Sequence, residues 1–252
     1  MIHHTIEKLR RLRLAGMAKA LEGQLSQPDI DTLSFDERLA LLIDHEDIER
    51  QNAALARRLH RARLRQPACM EDIDLRTPRG LDRSLIRELA SCDWLRGHHN
   101  LLITGPTGVG KSWIACALGN KAAREGYTVL YGRLGRLLDD LATARLDGGY
   151  ARMLTRLSRI SVLILDDWAM IRLTEAQRRD LMDVIDDRHQ RASTILATQI
   201  PIERWHEMIG DPTYADAILD RLVHNAHRIE MSGESMRKKN GRKQETIPVD
   251  SK

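Results

Sequence analysis

Aromatic side chains are scarce in this chain, at 4% of 252 residues with a single Phe, so aliphatic residues must fill its core. Cysteine is equally sparse. Cys69, Cys92 and Cys116 stand too far apart for a metal-ligand pattern and suit a reducing cytosol better than a disulfide scaffold. No apolar run approaches the ~20 residues that a membrane span needs. The N-terminus is charged almost from its start, so no signal peptide is expected and the cytoplasm is the expected location. A large charge of either sign is also missing: the net charge is +4 and the pI about 9.1, too mild an excess to indicate nucleic acid by itself. What is present is 42% hydrophobic and 30% charged residues, enough for one large domain with a smaller appendage.

The chain opens on helical spacing. Ile6, Leu9, Leu12, Met17, Leu21 and Leu25 recur at that period, and Pro28 breaks it. Ser34 with Glu37 makes a capping box for a second long helix, which turns basic towards Arg65 and should stop before Pro67. Residues 1–66 are therefore expected to form a helical domain. Residues 67–98 read as a linker with a helix from Asp82 to about Trp94. From Asn100 strands and helices alternate, as in a parallel sheet with crossover helices. Five strands are expected: Leu101–Thr104, Thr128–Tyr131, Val162–Asp166, Thr194–Thr198 and Arg228–Met231. Two helices should separate the second from the third, parting at Asp147-Gly148-Gly149. The core domain is expected over 99–232 and a basic tail over 233–252.

Gly105-Pro106-Thr107-Gly108-Val109-Gly110-Lys111-Ser112 fits the phosphate-binding loop at every required position, between a short apolar strand and a helix. Glycines let backbone N–H groups curl around phosphates, and the helix N-terminus adds a favourable field. Lys111 supplies a point charge to the phosphates, and the Ser112 hydroxyl is placed to ligate Mg²⁺. Trp113 follows, either packing or touching the nucleotide. Val162-Leu163-Ile164-Leu165 delivers Asp166 and Asp167 to the sheet edge where ligands gather. Asp166 is expected to hold Mg²⁺ through water, and Asp167 to orient the attacking water. Gln199, ending the next strand, either bonds the γ-phosphate or lytic water or is a solvated loop residue. Arg221 either reaches a neighbouring subunit's nucleotide or pairs with an acid such as Asp216. The pairs His3-His4 and His98-His99 lack a converging carboxylate or Cys and read as surface residues.

Together the phosphate loop, Leu165-Asp166-Asp167-Trp168, Ala197-Thr198-Gln199-Ile200-Pro201 and Ala217-Ile218-Leu219-Asp220-Arg221-Leu222 resemble the AAA+ ATPases. Within them, Leu14-Ala15-Gly16-Met17, Phe35-Asp36-Glu37-Arg38-Leu39 and Gly233-Glu234-Ser235-Met236-Arg237 extend the resemblance over nearly the whole chain. It is to the IstB-like transposition helpers, related to the helicase loader DnaC. The resemblance implies an α/β P-loop NTPase: a parallel five-stranded sheet flanked by helices, a small all-helical N-terminal domain, and no substantial C-terminal lid. It also implies an ATP- and Mg²⁺-dependent protein that forms homo-oligomers on duplex DNA, remodels it, and helps a cognate transposase choose its target. By the same resemblance Gln199 matches the first sensor, Arg221 the arginine finger and Arg237 the second sensor. Asp167 departs from the usual catalytic Glu by one methylene, which implies slow hydrolysis.

Arg133, Arg136, Arg145, Arg152, Arg156 and Arg159 crowd the two helices between the second and third strands. In the initiator-type relatives this region faces the axis of a helical assembly, where such charges would neutralise phosphates without reading sequence. Arg57, Arg58, Arg61, Arg63 and Arg65 offer a second basic surface, although residues 1–66 equally suit a protein partner. Three other functions share the loop: a helicase loader, a nucleotide-gated scaffold with little hydrolysis, and a small-molecule kinase, for which no acceptor-binding lid is visible.

Overall fold

The computed structural model describes residues 2–236. The chain divides into two compact units, one up to Arg57 and one from Arg58 onward.

In the first unit, α1 (Ile2–Arg11) and α2 (Ala15–Leu25) precede the long α3 (Phe35–Ala62), whose last residues belong to the second unit. The capping box is formed: the Ser34 N–H donates to Glu37 Oε2 at 2.7 Å, and the Glu37 N–H to Ser34 Oγ at 3.3 Å. Gly16 is where α2 crosses α3. A Cβ there would meet the Glu46 Cα at 2.7 Å, and Glu46 Oε2 accepts the Met17 N–H at 3.1 Å. A carboxylate at a helix N-terminus satisfies an otherwise orphaned donor and opposes the positive end of the dipole. The apolar residues Phe35, Leu41, Ile43 and Ile48 of α3 remain exposed.

The second unit is built on five parallel strands: β1 (Asn100–Thr104), β2 (Val129–Arg133), β3 (Val162–Asp166), β4 (Ser193–Thr198) and β5 (Ala226–Glu230), in the order β2-β3-β4-β1-β5. Each predicted strand is present, shifted by at most two residues at an end. Period-2 alternation sorts the aliphatic side chains to two faces. Leu101, Ile103, Val162 and Ile164 pack under α6 (Lys111–Arg124), while Leu102, Leu163 and Leu165 pack on the opposite face. There lie α7 (Leu134–Leu146), α8 (Tyr150–Ser158), α9 (Glu175–Arg188), α10 (Trp205–Ile209) and α11 (Pro212–Val223). The helix expected over Asp82–Trp94 is instead two: α4 (Arg83–Ala90), capped by Asp82, and the short α5 (Asp93–Arg96). Cys92 lies between them at φ +63°, a left-handed turn that interrupts helical hydrogen bonding. Trp168 and Trp205 are fully buried and meet edge-on, ring centroids 5.4 Å apart. Among the described residues no helix is long and apolar enough to cross a membrane.

Candidate nucleotide site

The loop from Gly105 to Gly110 joins β1 to α6, and its glycines do what other residues would not. Gly105, Gly108 and Gly110 have φ of +144°, +89° and +109°. A Cβ on Gly105 would strike the Met231 carbonyl, and one on Gly108 the Ser235 side chain. The Lys111 Nζ donates to the carbonyls of Gly105 (2.8 Å) and Pro106 (2.7 Å), so its charge is held at the loop mouth. Beyond β5 the chain lies along this loop: the Met231 N–H donates to Thr104 O at 2.7 Å and the Met236 N–H to Gly108 O at 2.9 Å.

At the same sheet edge β3 ends in the two acids. Asp166 is 2% exposed; its Oδ2 accepts the Tyr131 hydroxyl at 2.6 Å and its Oδ1 the Asp167 N–H at 3.0 Å. Asp167 differs in kind. It is half-exposed, at φ +57°, and Oδ2 lies 3.3 Å from Arg133 Nε. Gln199 Oε1 accepts the Thr107 hydroxyl, which ties the end of β4 to the phosphate loop. Its Nε2 donates to Met170 Sδ at 3.2 Å.

These groups share a cleft of about 560 Å³, within the ~300–1,000 Å³ usual for small-molecule sites. Lys111, Ser112, Trp113, Asp166, Asp167 and Gln199 all line it. Glycine-cradled N–H groups and Lys111 suit phosphates. A buried carboxylate and a hydroxyl at the same cleft are hard oxygen donors of the type Mg²⁺ takes, the remainder of its shell being water and phosphate. The residues fit both groups.

Two arginines in the walls were not expected at this site, Arg65 having been read as part of the basic surface. Arg65 follows the basic stretch of α3, yet its Nη1 sits 3.7 Å from Asp166 Oδ2. Arg79 is 5% exposed; it donates to Val109 O (3.1 Å) and Asp74 O (2.8 Å), and its Nε has no hydrogen-bond partner. A buried guanidinium behind the phosphate loop adds positive field where anions bind. The one visible clue was Pro78-Arg79-Gly80, a turn in which Gly80 takes φ +75° against the Glu230 carbonyl.

Other expected site residues lie elsewhere. Arg221, in the last turn of α11, is at the opposite edge of the sheet, where its backbone carbonyl accepts from Asn100 at the start of β1. Its side chain pairs with Asp186 at 2.8 Å, not with Asp216. Arg133 belongs to the cleft. Arg58 donates to the Ala123 carbonyl at the end of α6 (2.8 Å), and Arg145 is held by Asp180 at 2.6 Å over the Tyr150 ring. Arg57, Arg61, Arg136, Arg152 and Arg156 are exposed. Arg237 lies outside the described residues.

The chain is similar to several known proteins. A Sinorhizobium fredii protein named as an insertion sequence ATP-binding protein is 51% identical over 243 residues, covering 96% of this chain and 99% of its own. A Pseudomonas aeruginosa protein, named as the ATP-binding protein of insertion sequence IS21, is 34% identical over 242 residues, covering 96% and 91%. Among solved structures, DnaI superposes with a TM-score of 0.56 at 18% identity, over 66% of this chain and 91% of that one. The initiator DnaA, bound to AMPPCP and single-stranded DNA, gives 0.57 at 16%, over 75% and 58%. These two likenesses establish the fold. The family pattern described as IstB-like ATP binding protein runs through residues 7–244, and the chain belongs to that family.

Proposed function

We propose that this protein is a Mg²⁺-dependent ATPase that assembles on duplex DNA, remodels it, and helps a transposase select its target. The observation that carries this reading is the convergence of phosphate loop, buried acid, exposed acid and Gln199 on one cleft at one sheet edge. Lys111 and the loop N–H groups hold the β- and γ-phosphates. Ser112 and Asp166 hold Mg²⁺, which supplies charge neutralisation at the phosphates. Asp167 orients the attacking water, with Gln199 beside it, while Trp113 and Arg237 complete the nucleotide contacts. Because Arg221 faces away from its own loop, its place in hydrolysis is at the nucleotide of a neighbouring copy. Exposed Arg57, Arg61, Arg136, Arg152 and Arg156 supply sequence-independent phosphate contacts. Arg133, paired with Asp167 at the start of the same arginine-rich stretch, connects DNA contact to the hydrolytic acid. The insertion-sequence context in the relatives' names supports a transposase as the partner; the place of action in this reading is the cytoplasm.

The deciding experiment images the purified protein with ATP and duplex DNA while phosphate release is followed. Nucleotide-dependent multimers on DNA, with release abolished by Lys111→Ala and Asp167→Ala, are expected. A protein that stays monomeric and ignores DNA when saturated with ATP refutes the proposal. Multimers without turnover favour the nucleotide-gated scaffold.

A further inference from the structure

Asp166 stands between two groups that compete for it. One oxygen, Oδ1, is fixed by the backbone N–H of Asp167. The other, Oδ2, accepts the Tyr131 hydroxyl at 2.6 Å, with the Arg65 guanidinium 3.7 Å away. Phenol and guanidinium therefore face the same carboxylate oxygen, with the phenol the one hydrogen-bonded to it. Tyr131 is placed there by the sheet: β2 pairs with β3 in register, Tyr131 opposite Ile164 and Arg133 opposite Asp166. Its ring packs between the start of α6 and the segment after α3, beside Ala68, Cys116 and Trp113.

We infer that Tyr131 is a positioning residue for the metal acid. Its hydroxyl fixes the Asp166 carboxylate and keeps Arg65 from closing onto it, so that the free lone pairs stay turned to the cleft. The inference rests on the reading of Asp166 as the Mg²⁺-holding acid. The terminal torsion of an aspartate is soft and roughly two-fold, so an unrestrained carboxylate would rotate towards the nearest cation. A direct Arg–carboxylate pair is short and frequently bidentate, and it would occupy the same lone pairs that a metal-bound water needs.

The test measures affinity for a fluorescent ATP analogue while free Mg²⁺ is varied, alongside affinity in EDTA. Tyr131→Phe retains the ring and loses the hydroxyl. A hydrogen bond to a charged group of this kind corresponds to about tenfold. Tyr131→Phe should raise the half-saturating Mg²⁺ by about that factor and leave EDTA affinity within about twofold. Arg65→Gln, which removes the competitor, should bring Tyr131→Phe back to within about threefold of the parent. On its own Arg65→Gln should leave the half-point equal or lower. Asp166→Asn serves as the reference. A raised half-point in Asp166→Asn with none in Tyr131→Phe overturns the role of Tyr131 alone. No shift in Asp166→Asn removes the metal role of Asp166, and that of Tyr131 with it. Equal losses with and without Mg²⁺ in Tyr131→Phe, or no recovery in the double variant, also overturn the inference, because a merely structural role predicts them.

Discussion

The two edges of the sheet use similar polar residues to opposite ends. At the edge where strands begin, Asn100, Arg188, Ser193 and Thr194 are buried; Asn100 and Arg188 bond to backbone and the Thr194 hydroxyl to Arg188, while the Ser193 hydroxyl has no hydrogen-bond partner. The Asn100 amide donates to the Arg221 and Leu222 carbonyls and accepts the Thr194 N–H. Arg188, 1% exposed, spends its guanidinium on the carbonyls of Leu157, Ile160 and Ser193 and on the Thr194 hydroxyl. At the edge where strands end, backbone turns left-handed at Gly105, Gly108, Gly110 and Asp167, and the polar side chains line an open cleft. Polar groups that saturate one another build a scaffold. Those held in place with capacity to spare build a site.

Arg221 can break this contrast, because it lies at the scaffold edge and is assigned chemistry. Its pair with Asp186 is partly exposed and contributes at most about 1 kcal/mol. Arg221→Ala should therefore keep its melting temperature and its nucleotide affinity, yet lose about 10³-fold in assembly-dependent hydrolysis, the lower end for an arginine finger. Normal turnover in that variant returns Arg221 to the scaffold. A pair of variants sharpens the contrast. Lys111→Ala should lose about 10²-fold or more in hydrolysis with an unchanged melting curve in the absence of nucleotide. Arg188→Met should do the reverse: unmet buried acceptors cost about 3 kcal/mol in all, seen as a lowered denaturation midpoint. Any folded fraction should still bind nucleotide.

What could be read in advance was what is encoded locally. Strand, loop and helix around Gly105–Ser112 are contiguous, and the apolar run before Asp166 carries its own burial signal, so fold class and phosphate loop were legible. The strand order β2-β3-β4-β1-β5 was not, since pairing depends on residues far apart in the chain. For the same reason Arg65 and Arg79 were missed as cleft residues, and Tyr131 as the partner of Asp166. Each is unremarkable in its own segment and meets Asp166 or Val109 only through tertiary packing. The charge pattern around Arg58 and Arg145 was equally silent about the Ala123 carbonyl and Asp180, which hold them in this structure. Clustering announces a basic surface without saying which members are already engaged.

Arg133 tests the smallest of these effects and the most informative. It extends from the end of β2 to Asp167, with both side chains about half-exposed, so the 3.3 Å pair adds little to stability. Its consequence is kinetic. While the guanidinium occupies Asp167 Oδ2, that oxygen is less able to accept from an attacking water; a DNA phosphate that draws Arg133 away frees it. Arg133→Ala should then raise DNA-free hydrolysis by about three- to fivefold, a rate change equivalent to the ~1 kcal/mol ceiling of an exposed pair. Duplex DNA should stimulate the variant less than the parent. Raising ionic strength from about 0.05 to 0.3 M should lift the parent's DNA-free rate in the same direction, because the pair is exposed to screening. A basal rate that falls in Arg133→Ala would mean that the arginine supports Asp167 instead of restraining it. DNA contact and hydrolysis would then have to be coupled through the subunit interface proposed for Arg221.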